Sequence, residues 1–219
     1  MLISFTVGNY LSFKDKQTLD LVPDALKEHA DYLHIPYLYD PDVRLLKSVG
    51  IYGHNSHGKT NFLKAYQFFL DFVFTSFSFG RSEDIIKVDN FRLNSFMRNQ
   101  PSFFEIIFYI RETKYRYGFE ITSEKVVSEW LFYAESGVRE NYLFYRGEQE
   151  TKISKTWSRD SEQRNEQVLL FTKKHNLFLS VLCSQENIPR IKEIEQWLKG
   201  NMVIYDYSDE RHLKRVAII

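Results

Sequence analysis

The stretch Gly53-His54-Asn55-Ser56-His57-Gly58-Lys59-Thr60 fits G-x-x-x-x-G-K-[ST] without a gap. The spacing has a physical basis. Its two glycines let the backbone bend closely around an anion, and successive amide N–H groups then point into the concavity. The positive end of a following helix dipole adds to the attraction. On such a P-loop, Lys59 reaches the β- and γ-phosphates of a nucleotide as a point charge, and the Thr60 hydroxyl joins a Mg²⁺ shell. A random chain of this length matches the pattern roughly once in a hundred, so the setting matters. Upstream, Leu45 to Tyr52 is apolar and β-rich with little alternation, which predicts a central strand buried on both faces. Downstream, Phe62, Leu63, Tyr66, Phe69, Leu70 and Val73 follow helical spacing. They predict a helix from about Lys59 to Val73 that leaves little of itself exposed. Strand, loop and helix in that order are the context the motif requires.

Farther out, Leu2 to Val7 reads as a strand, Gly8-Asn9 as a turn and Gln17 to Leu21 as a second strand paired with the first. Pro23 to Asp42 holds three prolines and reads as a loop-rich connection. Beyond Ser102 the pattern is β: Phe103 to Ile110, Tyr115 to Ile121, Val126 to Ala134 and Tyr142 to Arg146, separated by turn signals, predict an antiparallel meander. Thr151 to Gln167 is polar, a loop or an exposed helix. Helices are expected at about Lys173 to Ser184 and Pro189 to Leu198, with Pro189 in the first turn and Gly200 as the stop. The organisation read from this is one domain over 1–219. Segments 1–22 and 43–80 form its P-loop core, 100–150 an antiparallel β lobe and 160–206 a helical segment.

Composition narrows the function classes. Lys plus Arg equals Asp plus Glu at 29 each, so no global charge draws the chain to nucleic acid or anionic lipid, although a local basic face stays open. Nineteen Phe and 14 Tyr argue for thick sheet packing. Cys183 is the only cysteine, which excludes an internal disulfide and the usual thiolate zinc sites and suits a reducing cytoplasm. Met1 to Val7 lacks a basic n-region. Phe68 to Phe79 is too short and too polar to span a bilayer, so no membrane partner is expected.

Asn55 in the loop and Asn61 after Thr60 extend the motif to G-x-N-x-x-G-K-T-N. Val7-Gly8-Asn9-Tyr10-Leu11-Ser12-Phe13-Lys14-Asp15 has the form N-[FY]-x-S-F-x-D. Together with Asn61-Phe62-Leu63-Lys64-Ala65, these stretches resemble the opening of ABC-type ATPases of the SMC and RecF kind. They are most similar to bacterial AAA-family relatives linked to phage defence, including abortive-infection proteins and relatives of the overcoming-lysogenization-defect ATPases. The specific resemblance covers about the first 75 residues. It implies an α/β P-loop fold of ABC head type with an inserted antiparallel β-rich lobe. It also implies ATP and Mg²⁺ bound by Gly53, His54, Asn55, Ser56, His57, Gly58, Lys59, Thr60 and Asn61, with Thr60 on the metal. Partners implied are a second copy or higher oligomer and an effector nuclease. His57 departs from the family, where the residue before the second glycine is small.

Such ATPases hydrolyse ATP between two heads, and this chain shows no L-S-G-G-like signature, no h-h-h-h-D-E segment and no switch histidine. It stops at Val216-Ala217-Ile218-Ile219, an apolar run that would be expected to continue. The expectation is the N-terminal part of an ATPase head whose catalytic residues are unassigned. The rivals are a nucleotide-binding regulator that never turns ATP over and an SMC- or RecF-like DNA-repair ATPase that binds nucleic acid. ATP against GTP stays open, because the loop grips phosphates and base recognition lies elsewhere.

Weaker patterns have plainer readings. Met202-Val203-Ile204-Tyr205-Asp206 outlines a Mg²⁺-binding strand end, but Tyr207 follows where ABC enzymes carry a glutamate, and an ordinary strand is the simpler account. Gln185 stands where a Mg²⁺-sensing glutamine would, yet a helix C-terminus with a surface Gln is the commoner explanation. Lys114-Tyr115-Arg116-Tyr117 alternates basic and aromatic residues, as a base-stacking strand or an exposed strand with one aromatic face would. Arg211 to Arg215 reads as solvated. His54 and His57 lack neighbours to complete a metal site.

Overall fold

The computed structural model describes residues 1–24, 33–34, 44–54, 57–79, 85–135, 138–154, 167–185 and 188–200. A seven-stranded antiparallel sheet forms one layer. Its strands are β1 (Leu2–Gly8), β2 (Gln17–Asp20), β5 (Ser102–Ile110), β6 (Thr113–Ile121), β7 (Val126–Glu135), β8 (Asn141–Arg146) and β9 (Thr151–Ile153), in the order β2-β1-β5-β6-β7-β8-β9. A two-residue ribbon of β3 (Leu33–His34) and β4 (Leu45–Leu46) stands apart. The four predicted meander strands and the β1–β2 pair are present, each within two residues of its expected bounds, whereas Thr151–Ile153, expected to be loop or exposed helix, hydrogen-bonds to β8 as a further strand. Segment 1–22, grouped in sequence with the P-loop, hydrogen-bonds directly to the meander: β1 pairs with β5 from Leu2↔Phe108 to Gly8↔Phe103.

Alternation along β5, β6 and β7 sends one set of side chains to each face. On the inner face Phe5, Phe104, Ile106, Phe108, Tyr117 and Phe119 are fully buried. The helix α1 (Lys59–Thr75) lies on this face. Phe5 meets the edges of Phe62, Tyr66 and Phe69 at 5.5, 5.0 and 5.6 Å, and Phe69 stacks on Phe119 at 5.4 Å. Fully burying one such ring stabilises the fold by about 1.5–3 kcal/mol. On the outer face Trp130 lies over Gly118, where a Cβ would meet the indole at 2.5 Å, and Arg116 bridges Glu105 and Glu140 at 3.2 and 2.6 Å.

Two helices complete the inner layer: α2 (Phe178–Cys183) and α3 (Pro189–Gly200). The predicted start of α2 near Lys173 is wrong by five residues. Residues 172–177 are non-helical, because α2 is begun by a distant carboxylate. Glu129, fully buried on β7, accepts the amides of Phe178 at 2.6 Å and Leu179 at 2.9 Å, and the Tyr117 hydroxyl at 3.1 Å. Burial pushes the Glu129 carboxyl above its usual range, against the pull of Arg146 at 3.7 Å and of these donors. The final helix matches its expectation, with Pro189 at its first position, and stacks Trp197 on Phe108 at 4.2 Å.

The predicted central strand from Leu45 to Tyr52 is also corrected. Only Leu45–Leu46 is strand, and Val49, Ile51 and Tyr52 are 45 %, 43 % and 93 % exposed. A strand of the parallel-sheet kind persists only when hydrogen-bonded along its edges, and among the described residues no strand forms a ladder with 47–54. The helix after the loop is likewise less covered than its spacing predicts, with Leu63 46 % exposed. Among the described residues no helix is long and apolar enough to cross a membrane.

Candidate phosphate-binding site

The motif sits at the head of α1. Gly58, the residue before the helix, has φ 87° and ψ 3°, a left-handed conformation that costs glycine least. Its carbonyl accepts the Phe62 amide at 3.0 Å, the first bond of the helix. Among the described residues no side chain caps this end and no carboxylate lies in the first turn. The free amides and the positive end of the dipole are therefore unspent.

Lys59 folds back over the loop. Its Nζ donates to the carbonyls of Gly53 at 2.6 Å and His54 at 2.8 Å, holding the two ends of the motif together around one cation. Thr60 is exposed in the first turn. His57 is exposed, and its amide donates to the His54 carbonyl at 3.3 Å. The two imidazoles lie 5.4 Å apart, and no group of three metal-binding side chains occurs among the described residues. Asn55 and Ser56 lie outside the described residues.

The opening turn of the chain reaches this helix start. Asn61 Nδ2 donates to Ser12 Oγ at 3.0 Å, and a Cβ on Gly58 would stand 2.7 Å from the same oxygen. Asn9 holds the turn in place: its Nδ2 donates to the Met97 and Gln100 carbonyls at 2.8 Å each, and its Oδ1 accepts the Phe91 amide at 3.2 Å. The Leu11 amide donates to the Asp89 carbonyl at 2.7 Å. Residues 9–13, 58–62 and 89–93 thus converge. Between them opens a cavity of about 520 Å³, lined by Leu11, Ser12, Asn61, Asp89, Phe91 and Leu93 among others. Sequence reading missed segment 85–93 because it has neither periodicity nor a motif; its mixture of acid, amide, ring and guanidinium was the only signal.

The remaining candidates fall elsewhere. Gln185 follows α2, which docks at the far end of α1 through Phe77 N–H to Ser180 Oγ at 3.0 Å. Tyr115 and Tyr117 point into the core and Arg116 is held by two carboxylates, so the Lys114–Tyr117 run offers no base-stacking surface. Met202 to Asp206, Tyr207 and Arg211 to Arg215 lie outside the described residues.

A left-handed glycine, a lysine folded across the loop and an uncapped helix start define the class, a P-loop nucleotide-binding fold. The chain belongs to the family described as "AAA domain, putative AbiEii toxin, Type IV TA system", whose model matches residues 48–193. It is an AAA-family ATPase domain of the abortive-infection kind, and the match takes in the P-loop, α1 and the whole meander. A comparison with curated proteins finds no match.

Proposed function

We propose that residues 53–61 bind Mg-ATP and that the chain is the ATP-binding, N-terminal part of an ABC-like head of SMC and RecF type, serving anti-phage defence. The observation that carries this reading is the Lys59 ammonium drawn over the loop carbonyls beside left-handed Gly58. A bound triphosphate exchanges those carbonyls for its own oxygens, which are stronger partners for a cation. Contact between the N-[FY]-x-S-F turn and the helix start, through Ser12 and Asn61, supports the ABC-type assignment. On this reading Thr60 holds Mg²⁺. Turnover draws on a signature motif and an acidic base that the 219 residues do not contain, which the remaining part of each head would bring when two heads pair. A second copy and an effector nuclease are the partners that follow. The test is calorimetry with Mg-ATP on the wild type and Lys59→Ala. The variant should fold normally and lose binding at least about a hundredfold, as when a charge-assisted phosphate contact is removed; unchanged affinity would refute the assignment.

The missing signature and glutamate favour a second reading, a regulator that binds ATP without hydrolysing it. Phosphate release after adding the missing half of a head separates the two, since only the divided enzyme gains turnover. The DNA-repair reading predicts nucleotide-dependent, salt-sensitive DNA binding in a gel shift. The balanced charge and the buried Tyr115 and Tyr117 weigh against it.

A further inference from the structure

We propose that His54 and His57 together bind a transition-metal ion of the zinc or cobalt kind at the mouth of the phosphate loop, with phosphate oxygens of the bound nucleotide completing its coordination. Such a site rests on the phosphate-binding reading above and adds a second ion to it, distinct from the Mg²⁺ placed on Thr60. His57 stands where the resembled family carries a small residue, so the pair belongs to this chain rather than to the loop pattern. The main chain sets the two imidazoles side by side. The His57 amide donates to the His54 carbonyl at 3.3 Å, and the ring centroids lie 5.4 Å apart with their planes at 48°. Zinc sits about 2.0–2.1 Å from an imidazole nitrogen, and therefore roughly 3.2 Å from the ring centre. Two rings 5.4 Å apart then subtend about 115° at a shared ion, close to the tetrahedral angle that zinc prefers. Both side chains are exposed, so the rings can turn a nitrogen toward the ion without disturbing the core.

Two imidazoles hold an ion but do not fill its shell. Among the described residues no group of three metal-binding side chains occurs, so the rest of a four-coordinate shell must come from elsewhere. The loop delivers it. His57 adjoins Gly58 and Lys59 in sequence, and a Cβ on Gly53 would stand 3.9 Å from the His57 Cβ, so the pair flanks both ends of the phosphate cradle. Charge sets the order of binding. Lys59 Nζ lies 2.8 Å from the His54 carbonyl oxygen, and it opposes a dication beside it until a triphosphate brings negative charge. Metal and nucleotide therefore bind better together than apart, each tightening the other by the same factor. Imidazole also selects the ion, because nitrogen ligands suit zinc and its neighbours whereas Mg²⁺ keeps to oxygen.

Calorimetry and visible absorption on the full chain test this, with Co²⁺ as the probe and Mg²⁺ in excess so that Thr60 and ATP stay supplied with it. An equimolar amount of Co²⁺ should tighten ATP binding by the wild type at least about tenfold. The intense visible bands of four-coordinate, nitrogen-ligated Co²⁺ should appear with protein and ATP together and stay weak with either alone. His54→Ala and His57→Ala alter exposed side chains. Each should bring the ratio of ATP affinities with and without Co²⁺ to about one and remove the bands, whatever its affinity in Mg²⁺ alone. A ratio near one in the wild type, or a Co²⁺ effect and bands that survive in both variants, would overturn the metal site; Mg-ATP binding in the same experiment would leave the P-loop reading standing. Failure of the wild type to bind Mg-ATP at all would remove the phosphate site, and with it the oxygens the second ion needs.

Discussion

Gly58 meets two demands at once. Its φ of 87° is a conformation in which a side chain costs about 1–2 kcal/mol. The space where a Cβ would go is held by Ser12 Oγ, itself the acceptor of the Asn61 amide. Gly58→Ala should therefore lower stability by about 1–2 kcal/mol in denaturant melts and weaken Mg-ATP binding in the same preparation. A variant with wild-type midpoint and affinity would show that the loop relaxes freely. Lys59 differs from Gly58 in kind. It is half-buried and held by two carbonyls rather than by packing, so its loss is felt by the ligand and little by the fold. Both residues were legible in the motif. Ser12 was quoted only as part of a resemblance, because nothing in a linear pattern says that residue 12 touches residue 58.

Among the elements, α2 is the one whose bounds depend on another part of the chain. Local sequence offers no capping side chain at Leu177, and the cap comes from Glu129, 49 residues earlier. Glu129→Ala should cost about 3–5 kcal/mol, since it leaves two buried amides and the Tyr117 hydroxyl without their acceptor and removes the carboxylate beside Arg146. Urea unfolding followed by circular dichroism would read this, and a cost below about 1 kcal/mol would mean that water replaces the carboxylate. The strands were legible because alternation repeats over nine or ten residues in β5 to β7. The segment 47–52 was misread for the opposite reason: a continuous apolar run says that a strand would be buried, not that its neighbours are present.

At the scale of the molecule, the first strand sits inside the sheet, between β2 and β5, and β5 begins about a hundred residues after it. Such non-local pairing closes a long loop before it is rewarded, which slows folding into the millisecond-to-second range. The same closure brings the opening turn to the P-loop and segment 89–93 to both. Ligand binding at that junction should raise the stability of the whole domain. With Mg-ATP at about a hundred times its Kd, the gain is about 2.7 kcal/mol, or roughly 5–11 °C in Tm for a domain of this size. Thermal melts should show this for the wild type and not for Lys59→Ala, and a nucleotide-independent Tm would contradict the proposed function.

The amino-acid order alone determined the phosphate loop, the helix that follows it and the alternating strands, since each is written in neighbours a few positions apart. Tertiary structure alone decided that β1 joins the meander, where α2 begins and that residues 89–93 wall a cavity beside the loop. Those outcomes depend on pairings between residues 49 to 106 positions apart, and no local period records them.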